Sequence, residues 1–309
     1  MNRLTLLPKR PPEATPGRLS ATDLSRPPAN RGSAKSIKER LGTTYARCFG
    51  AVRYQRLNKL LLYLSLRGLG FENWRDHAIS GEESFLQALL LRASELPVIL
   101  DVGAYHGEYA KIIRRHSPRA IIYCFEPHPL SFEILQRTAQ DHNLIALPLA
   151  CGAKSGNGEL FDFAFQDGSK CASRHPDVLQ ASRFVPLSRY DTKIVTVDEF
   201  AESRRIGEIE LLKVDVEGAE LEVLQGASRL IKERRIKAIQ FEIGGINAVQ
   251  RTWVRDFYHL LVGYSFFRLL PSGLLPLGEY QPTTHELFGF QNIVALLDAP
   301  SPRSQPNAI

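Results

Sequence analysis

The run VILDVGAYHG, Val98–Gly107, decides the fold. Val98–Val102 is short, apolar and β-branched, the mark of a strand buried on both faces. Gly103 and Gly107 allow the chain to turn sharply and let a ligand approach the main chain. Helical spacing follows from Gly107 to His116, stopped near Pro118. Strand, glycine turn and helix in that order open a parallel α/β sheet.

Working outward, the alternation repeats. Ala120–Phe125 is a second strand with Glu126-Pro127 at its end, Leu130–Gln140 a helix, Leu144–Ala150 a third strand and Glu159–Phe163 an edge strand. Residues 165–192, with Gly168, Pro176 and Pro186, read as a long irregular loop of the kind that carries function. A short strand at Ile194–Val197 precedes a helix that Asp198 can cap. Ile209–Val214 is a strong buried strand followed by helix Ala219–Ile231. Ile236–Phe241 is the next strand, ended by Glu242, and Val249–Val262 a helix on which Trp253 and Tyr258 read as packing residues. Ser265–Leu270 and Phe288–Leu297 suggest an antiparallel pair closing the sheet. The expected fold is a doubly wound, mostly parallel, seven-stranded α/β sheet of Rossmann-like type. The expected domains are a disordered, basic, Pro-rich tail at 1–35, a helical extension at 36–95, the main domain at 96–298 and a disordered tail at 299–309.

Composition narrows the function. Residues 1–40 hold nine Lys/Arg against three acids, which equals the net charge of +6, so residues 41–309 are neutral with 30 charges of each sign. Nothing there demands the basic groove of a nucleic-acid enzyme. The four cysteines (Cys48, Cys124, Cys151, Cys171) form no CxxC pair, which disfavours a metal cage or disulfide framework and fits a reducing compartment. Six prolines within the first 28 residues argue against a targeting helix, and Leu57–Leu66 is far short of the roughly 20 residues that span a bilayer. A cytoplasmic location with no integral membrane segment is expected. The tail reads as a solvated segment, with attraction to an anionic membrane or partner as the alternative.

The turn at Asp101–Gly107 is neither the GxGxxG of dinucleotide enzymes nor a phosphate loop, for it lacks Gly-Lys-Ser/Thr. An acid at Glu126, on the adjoining strand, is placed to accept hydrogen bonds from ribose hydroxyls. A glycine turn with a ribose acid but no phosphate grip points to a nucleoside cofactor, and favours an adenosyl sulfonium. Taken alone, Glu126 could be a surface helix-capping acid.

DVGAYHG (Asp101–Gly107), YCFEP (Tyr123–Pro127), TVDEF (Thr196–Phe200), LKVDVEGAE (Leu212–Glu220) and LQGA (Leu224–Ala227) follow in one order, with GFQNIVAL (Gly289–Leu296) near the end. The set resembles the FkbM family of S-adenosylmethionine-dependent methyltransferases, from which Tyr105 and His106 depart in residue type. The resemblance implies O-methylation of a hydroxyl on a small molecule, sugar or glycolipid. It also implies that Asp101, Gly103, Ala104, Tyr105 and Gly107 run beside the amino-acid part of the cofactor. Glu126 and Pro127 would sit at the ribose, and Ala150 and Cys151 beside the adenine. A catalytic role for the Cys151 thiol is disfavoured, since methyl transfer needs no protein nucleophile.

Asp215 and Glu217 follow the fourth strand of the main sheet and Glu242 ends the fifth, so all three open onto one crevice. Asp215 or Glu217 is the favoured general base, with Glu242 second or holding the acceptor, while Asp215 can also meet the cofactor. The plainer reading is that Asp215 and Glu217 only order the backbone. Three acids also permit a divalent metal, which is not favoured. Glu220 reads as solvent-facing or capping, Lys213 needs a partner if buried, and His106 and His175 are minor candidates. A non-catalytic cofactor-binding scaffold and an N- or protein methyltransferase are the competing readings. Asp215-Val216-Glu217-Gly218 in place of Asn/Asp-Pro-Pro-aromatic disfavours nucleobase amines.

Overall fold

The computed structural model describes residues 36–74, 77–181 and 185–299. The tails expected at 1–35 and 299–309 lie outside these residues, save Ala299. In chain order the elements are α1 (Ile37–Phe49), α2 (Gln55–Gly68), α3 (His77–Ser80), α4 (Glu82–Leu90), β1 (Val98–Val102), α5 (Glu108–His116), β2 (Ile121–Phe125) and α6 (Pro129–His142). Next come β3 (Ile145–Leu147), β4 (Ala150–Cys151), β5 (Gly156–Phe163), α7 (Pro176–Gln180), β6 (Leu187–Val195) and α8 (Val197–Ser203). The chain continues through β7 (Ile209–Val214), α9 (Glu220–Gln225), α10 (Ser228–Lys232), β8 (Ile236–Ile243), α11 (Gly245–Gln250) and α12 (Val254–Leu260). It closes with β9 (Tyr264–Leu270), β10 (Gly273–Pro276), α13 (Pro282–His285) and β11 (Gln291–Leu297).

The main sheet runs β10-β9-β11-β8-β7-β1-β2-β3. From β8 to β3 the strands pair in parallel, and β11 pairs antiparallel with both β8 and β9. The main sheet has eight strands where seven were expected, the β9–β10 hairpin supplying the extra one at the edge. Every residue of β7 is buried, as a central strand covered on both faces requires. One face packs Val102, Phe125, Leu212 and Phe241 against α9, α10 and α12. The other packs Ile99, Ile122, Leu211 and Val294 against Phe85 and Leu86 of α4, Ile113 of α5 and Leu135 of α6. These are the two helical layers of a doubly wound sheet. Within residues 36–95, α4 joins this core, whereas α1 and α2 bury none of their side chains.

Several boundaries differ from the sequence reading. The single strand expected over Leu144–Ala150 splits at Pro148, which has no N–H to donate to a ladder. β3 stays in the main sheet, and β4 belongs to a second sheet of order β4-β6-β5. The loop expected at 165–192 contains α7 and most of β6, which pairs along its whole length with β5. Thr196, not Asp198, caps α8 by accepting from the Glu199 N–H at 3.1 Å. Asp198 instead accepts from the backbone N–H groups of Arg229 and Leu230 at the start of α10. The helix expected over Ala219–Ile231 breaks at Gly226, whose absent side chain leaves room for the Gly152 carbonyl; a Cβ there would lie 2.1 Å from that oxygen. The helix expected over Val249–Val262 divides into α11 and α12, with Arg251 in the left-handed region between them. Tyr258 stacks on Phe266 at 3.9 Å, while Trp253 sits before α12 against Phe288.

Candidate active site

The carboxyl ends of β1, β2, β7 and β8 open on a cavity of about 810 Å3. Its floor is the bend after β1. Gly103 takes φ of +83° with its Cα pressed on the end of β7, where a Cβ would lie 1.7 Å from the Asp215 carbonyl oxygen. The bend is pinned to the sheet by Gly103 and Ala104 N–H groups that both donate to the Phe125 carbonyl, at 3.0 and 2.9 Å, and by Asp215 N–H donating to Val102 O at 2.9 Å. Only a glycine satisfies this contact and conformation together.

Glu126 points at that bend. Its Oε2 accepts from the Tyr105 N–H at 2.9 Å and its Oε1 from the His128 N–H at 2.8 Å. The carboxyl is buried yet lines the cavity. Burial raises its pKa to about 7, against the lowering effect of those two backbone donors. Each oxygen keeps a lone pair for a further donor.

A polar stripe crosses the sheet beside the bend. Asp101, Lys213 and Gln240 are register neighbours on β1, β7 and β8, so their side chains share one face. The Lys213 ammonium is 3.0 Å from Asp215 Oδ2 and 5.4 Å from the centre of the Tyr109 ring. Burial disfavours its charge, but Asp215, Glu242, Glu82 and Asp101 together outweigh burial and raise its pKa. Asp101 is driven to about 7 by burial, with Lys213 pulling the other way, and its Oδ2 is buried without a hydrogen-bond partner. Glu242 and Glu217 are both raised, first by burial and then by the charge of Asp215. Gln240 ties the stripe together: it accepts from Tyr109 Oη at 2.5 Å and donates to Glu82 at 3.0 Å and Asn292 at 3.2 Å.

Asp101, Gly103, Ala104, Tyr105, Glu126, Pro127, Ala150, Cys151, Asp215, Glu217 and Glu242 all border the cavity. Gly107 does not: it sits at the amino end of α5 with φ of +84°, close against Leu135 and Thr138 of α6, so it shapes the turn from behind. Glu220, read from the sequence as solvent-facing or capping, is buried and accepts from the Val216 and Gly218 N–H groups, holding the Asp215–Gly218 loop in shape. His106 stacks on Tyr105 at 3.6 Å, and His175 is 3.0 Å from Glu222; neither lines the cavity. Burial pushes the Cys151 thiol pKa well up, which removes it as a nucleophile.

The sequence reading missed Trp74, Glu82, Tyr109, Phe290 and Asn292 on the cavity wall. Phe71 bridges Gln291, and Glu72 N–H donates to the Phe290 carbonyl at 2.8 Å, which brings Trp74 and β11 to one mouth. The loop after β5 adds Ser169, Lys170 and Cys171. It is anchored by Asp162, which accepts from Ser169 N and Oγ, and by Ser173, which donates to the Glu217 carbonyl at 2.7 Å. Among the described residues, the His/Cys/Asp/Glu group with ligand atoms at metal-binding spacing is His128, Asp162 and Asp167; Asp215, Glu217 and Glu242, which the sequence permits but does not favour as metal ligands, are not part of it.

Residues 101–267 match the Methyltransferase FkbM domain. Among curated proteins, hexuronic acid methyltransferase AglP of Haloferax volcanii is 30% identical over 174 residues, covering 56% of this chain and 67% of that protein. Methyltransferase 1 of Beauveria bassiana is 27% identical, covering 41% and 57%. The 31-O-demethyl-FK506 methyltransferase FkbM of Streptomyces tacrolimicus is 24% identical, covering 48% and 70%. The matched segments thus span between 57% and 70% of these relatives' length. With the matched segment running from the glycine bend through β9 and covering more than half of the residues, the chain belongs to the FkbM methyltransferase domain family.

Proposed function

We propose that the cavity binds S-adenosylmethionine and that the protein methylates a hydroxyl on a sugar, glycolipid or other small molecule. The observation that carries the reading is Glu126 turned onto the Gly103–Tyr105 bend with lone pairs left for ribose hydroxyls. The unpartnered Asp101 oxygen, buried on the same wall, suits a donor such as the cofactor's ammonium group. Ala150 and Cys151 line the same cavity and would give adenine an uncharged wall. When bound, the sulfonium supplies an activated methyl group, so the protein's work is alignment and proton removal.

The polar stripe would serve the acceptor. Burial raises the proton affinity of Glu242 and Glu217, so their charged forms are stronger bases than an ordinary carboxylate, whereas Asp215 is held by the Lys213 ammonium. We assign Glu242 to take the acceptor's hydroxyl proton as its oxygen bonds to the methyl carbon and the carbon–sulfur bond breaks. Lys213 supplies the positive charge among these acids that a divalent cation would otherwise bring, so the reading needs no metal. A relative named for a 31-O-demethyl substrate supports a hydroxyl acceptor, and one named for a hexuronic acid supports an acceptor of sugar type. Trp74 and Phe290 offer the apolar surface a sugar ring's C–H face needs.

Labelled methyl transfer to uronic-acid glycosides and to extracted glycolipids tests this. Label in those fractions that survives a metal chelator supports it; label only in protein or nucleic acid rejects it.

A further inference from the structure

Helices α1 and α2 pose a separate question. Residue spacing puts Ile37, Leu41 and Tyr45 on one stripe of α1, and Leu57, Leu60, Leu61 and Leu64 on one stripe of α2. Each of these side chains is at least 41% exposed, from Leu57 at 41% to Ile37 at 79%. Leucine at this exposure, repeated over two helices, is not ordinary surface. The pair is nevertheless built as a unit. Ser36 caps α1 in a reciprocal bond with Glu39, Tyr45 Oη donates to Asn58 at 2.7 Å, and Asn58 donates to the Phe49 carbonyl at 2.9 Å.

Charge says what covers the stripes. Residues 36–68 carry seven Lys/Arg (Lys38, Arg40, Arg47, Arg53, Arg56, Lys59, Arg67) against Glu39 alone, while residues 69–309 carry 25 Lys/Arg and 30 Asp/Glu. On the helical wheel of α2, Arg56 lies along one edge of the leucine stripe, so its alkyl stem can lie beside it with the guanidinium above, while Arg67 on the same edge donates to the Glu72 carbonyl. Two copies meeting through these helices would bring together two segments that each carry seven Lys/Arg and one acid, which opposes self-association. An apolar stripe edged by cations matches the surface of an anionic bilayer. Neither helix is long and apolar enough to cross a membrane, so the helices lie in the interface rather than spanning it.

We propose that α1 and α2 form a monotopic docking surface for anionic lipid, with the leucine stripe entering the acyl boundary and the arginines meeting the headgroups. The full chain is to be sedimented with phosphatidylcholine vesicles and with vesicles containing about 30% phosphatidylglycerol. Binding to the anionic vesicles at least roughly tenfold over the neutral ones is expected, weakening as salt shortens the screening length. Leu60→Glu/Leu64→Glu keeps every basic residue of the chain, yet should cut binding by roughly tenfold while the affinity for S-adenosylhomocysteine stays unchanged. Absence of vesicle binding overturns the proposal, and so does vesicle binding that the double variant leaves intact, which would place the attraction outside the leucine stripe. Sedimentation equilibrium closes the remaining route: a dimer that the double variant dissolves, without vesicle binding, assigns the face to a second copy and also overturns the proposal.

Discussion

Replacing Glu126 with Gln keeps the side chain's shape and removes one acceptor from a point where four donors would meet. In the free protein the two oxygens serve the Tyr105 and His128 N–H groups, one each, at 2.9 and 2.8 Å. An amide has one acceptor oxygen, so its NH2 must face one of these N–H groups, leaving a buried donor unsatisfied at a cost of about 1–3 kcal/mol in folding. In the complex, two ribose hydroxyls lose bonds to a charged acceptor, each contributing about 1.5–3 kcal/mol, and recover at most one neutral bond of about 0.5–1.5 kcal/mol. The net loss of cofactor affinity is about 1.5–5.5 kcal/mol, or roughly 10-fold at the least. Titration calorimetry with S-adenosylhomocysteine at pH 8, where the carboxyl is charged, measures it directly. The wild-type profile carries a sign as well. Because burial raises Glu126 and Asp101 to about 7, binding to their charged forms must expel protons below that pH, so affinity falls as pH drops from 8 to 6. The slope should be shallower in Glu126→Gln, with only Asp101 left to titrate. An affinity for Glu126→Gln within about a factor of two of the wild type at pH 8, in a folded protein, refutes this reasoning.

Glu242→Gln should lower turnover by roughly 100-fold or more with cofactor affinity retained, as expected for loss of a general base; unchanged turnover in single-turnover assays removes Glu242 from the chemistry. Lys213→Met strands Asp101, Asp215 and Glu242 without their cation, and should destabilise the fold by about 3–5 kcal/mol in urea titrations at pH 8. That loss should shrink below about pH 7, because acids whose folded pKa is raised take up protons there in the folded state; a loss independent of pH contradicts the electrostatic account. Gly103→Ala places a methyl 1.7 Å from the Asp215 carbonyl at a φ of +83°, so a loss of about 3 kcal/mol or more is expected by denaturation, and a neutral result contradicts the packing of bend on strand.

What could be read from the sequence depended on how far each feature's cause lay along the chain. β1, β7 and β8 were legible because buried parallel strands are apolar runs, and the glycine bend and Glu126 because each sits at a strand end fixed by its own neighbours. β6 was hidden by its composition: Ser188, Arg189, Tyr190, Asp191 and Lys193 leave few buried positions, as suits a strand of a small outer sheet. Pro148 marked the break between β3 and β4, but the switch to a second sheet depends on pairing with Ile194 and Val195, over forty residues away. Trp74 had no local signal, because it reaches the cavity only when the chain near Phe71 pairs with Gln291, and Asn292 does so only through the pairing of β11 with Glu242 on β8. Nothing local marked Glu220 as buried: the left-handed Glu217 and Gly218 before it turn backbone N–H groups inward and draw its carboxylate with them.

A crystal structure with S-adenosylhomocysteine bound tests the central claim most directly. Both ribose hydroxyls should lie within about 3 Å of the Glu126 oxygens, with the sulfur turned toward the Lys213–Asp215–Glu242 end of the cavity. A ribose held elsewhere, with Glu126 still engaged only by Tyr105 and His128, would contradict the account.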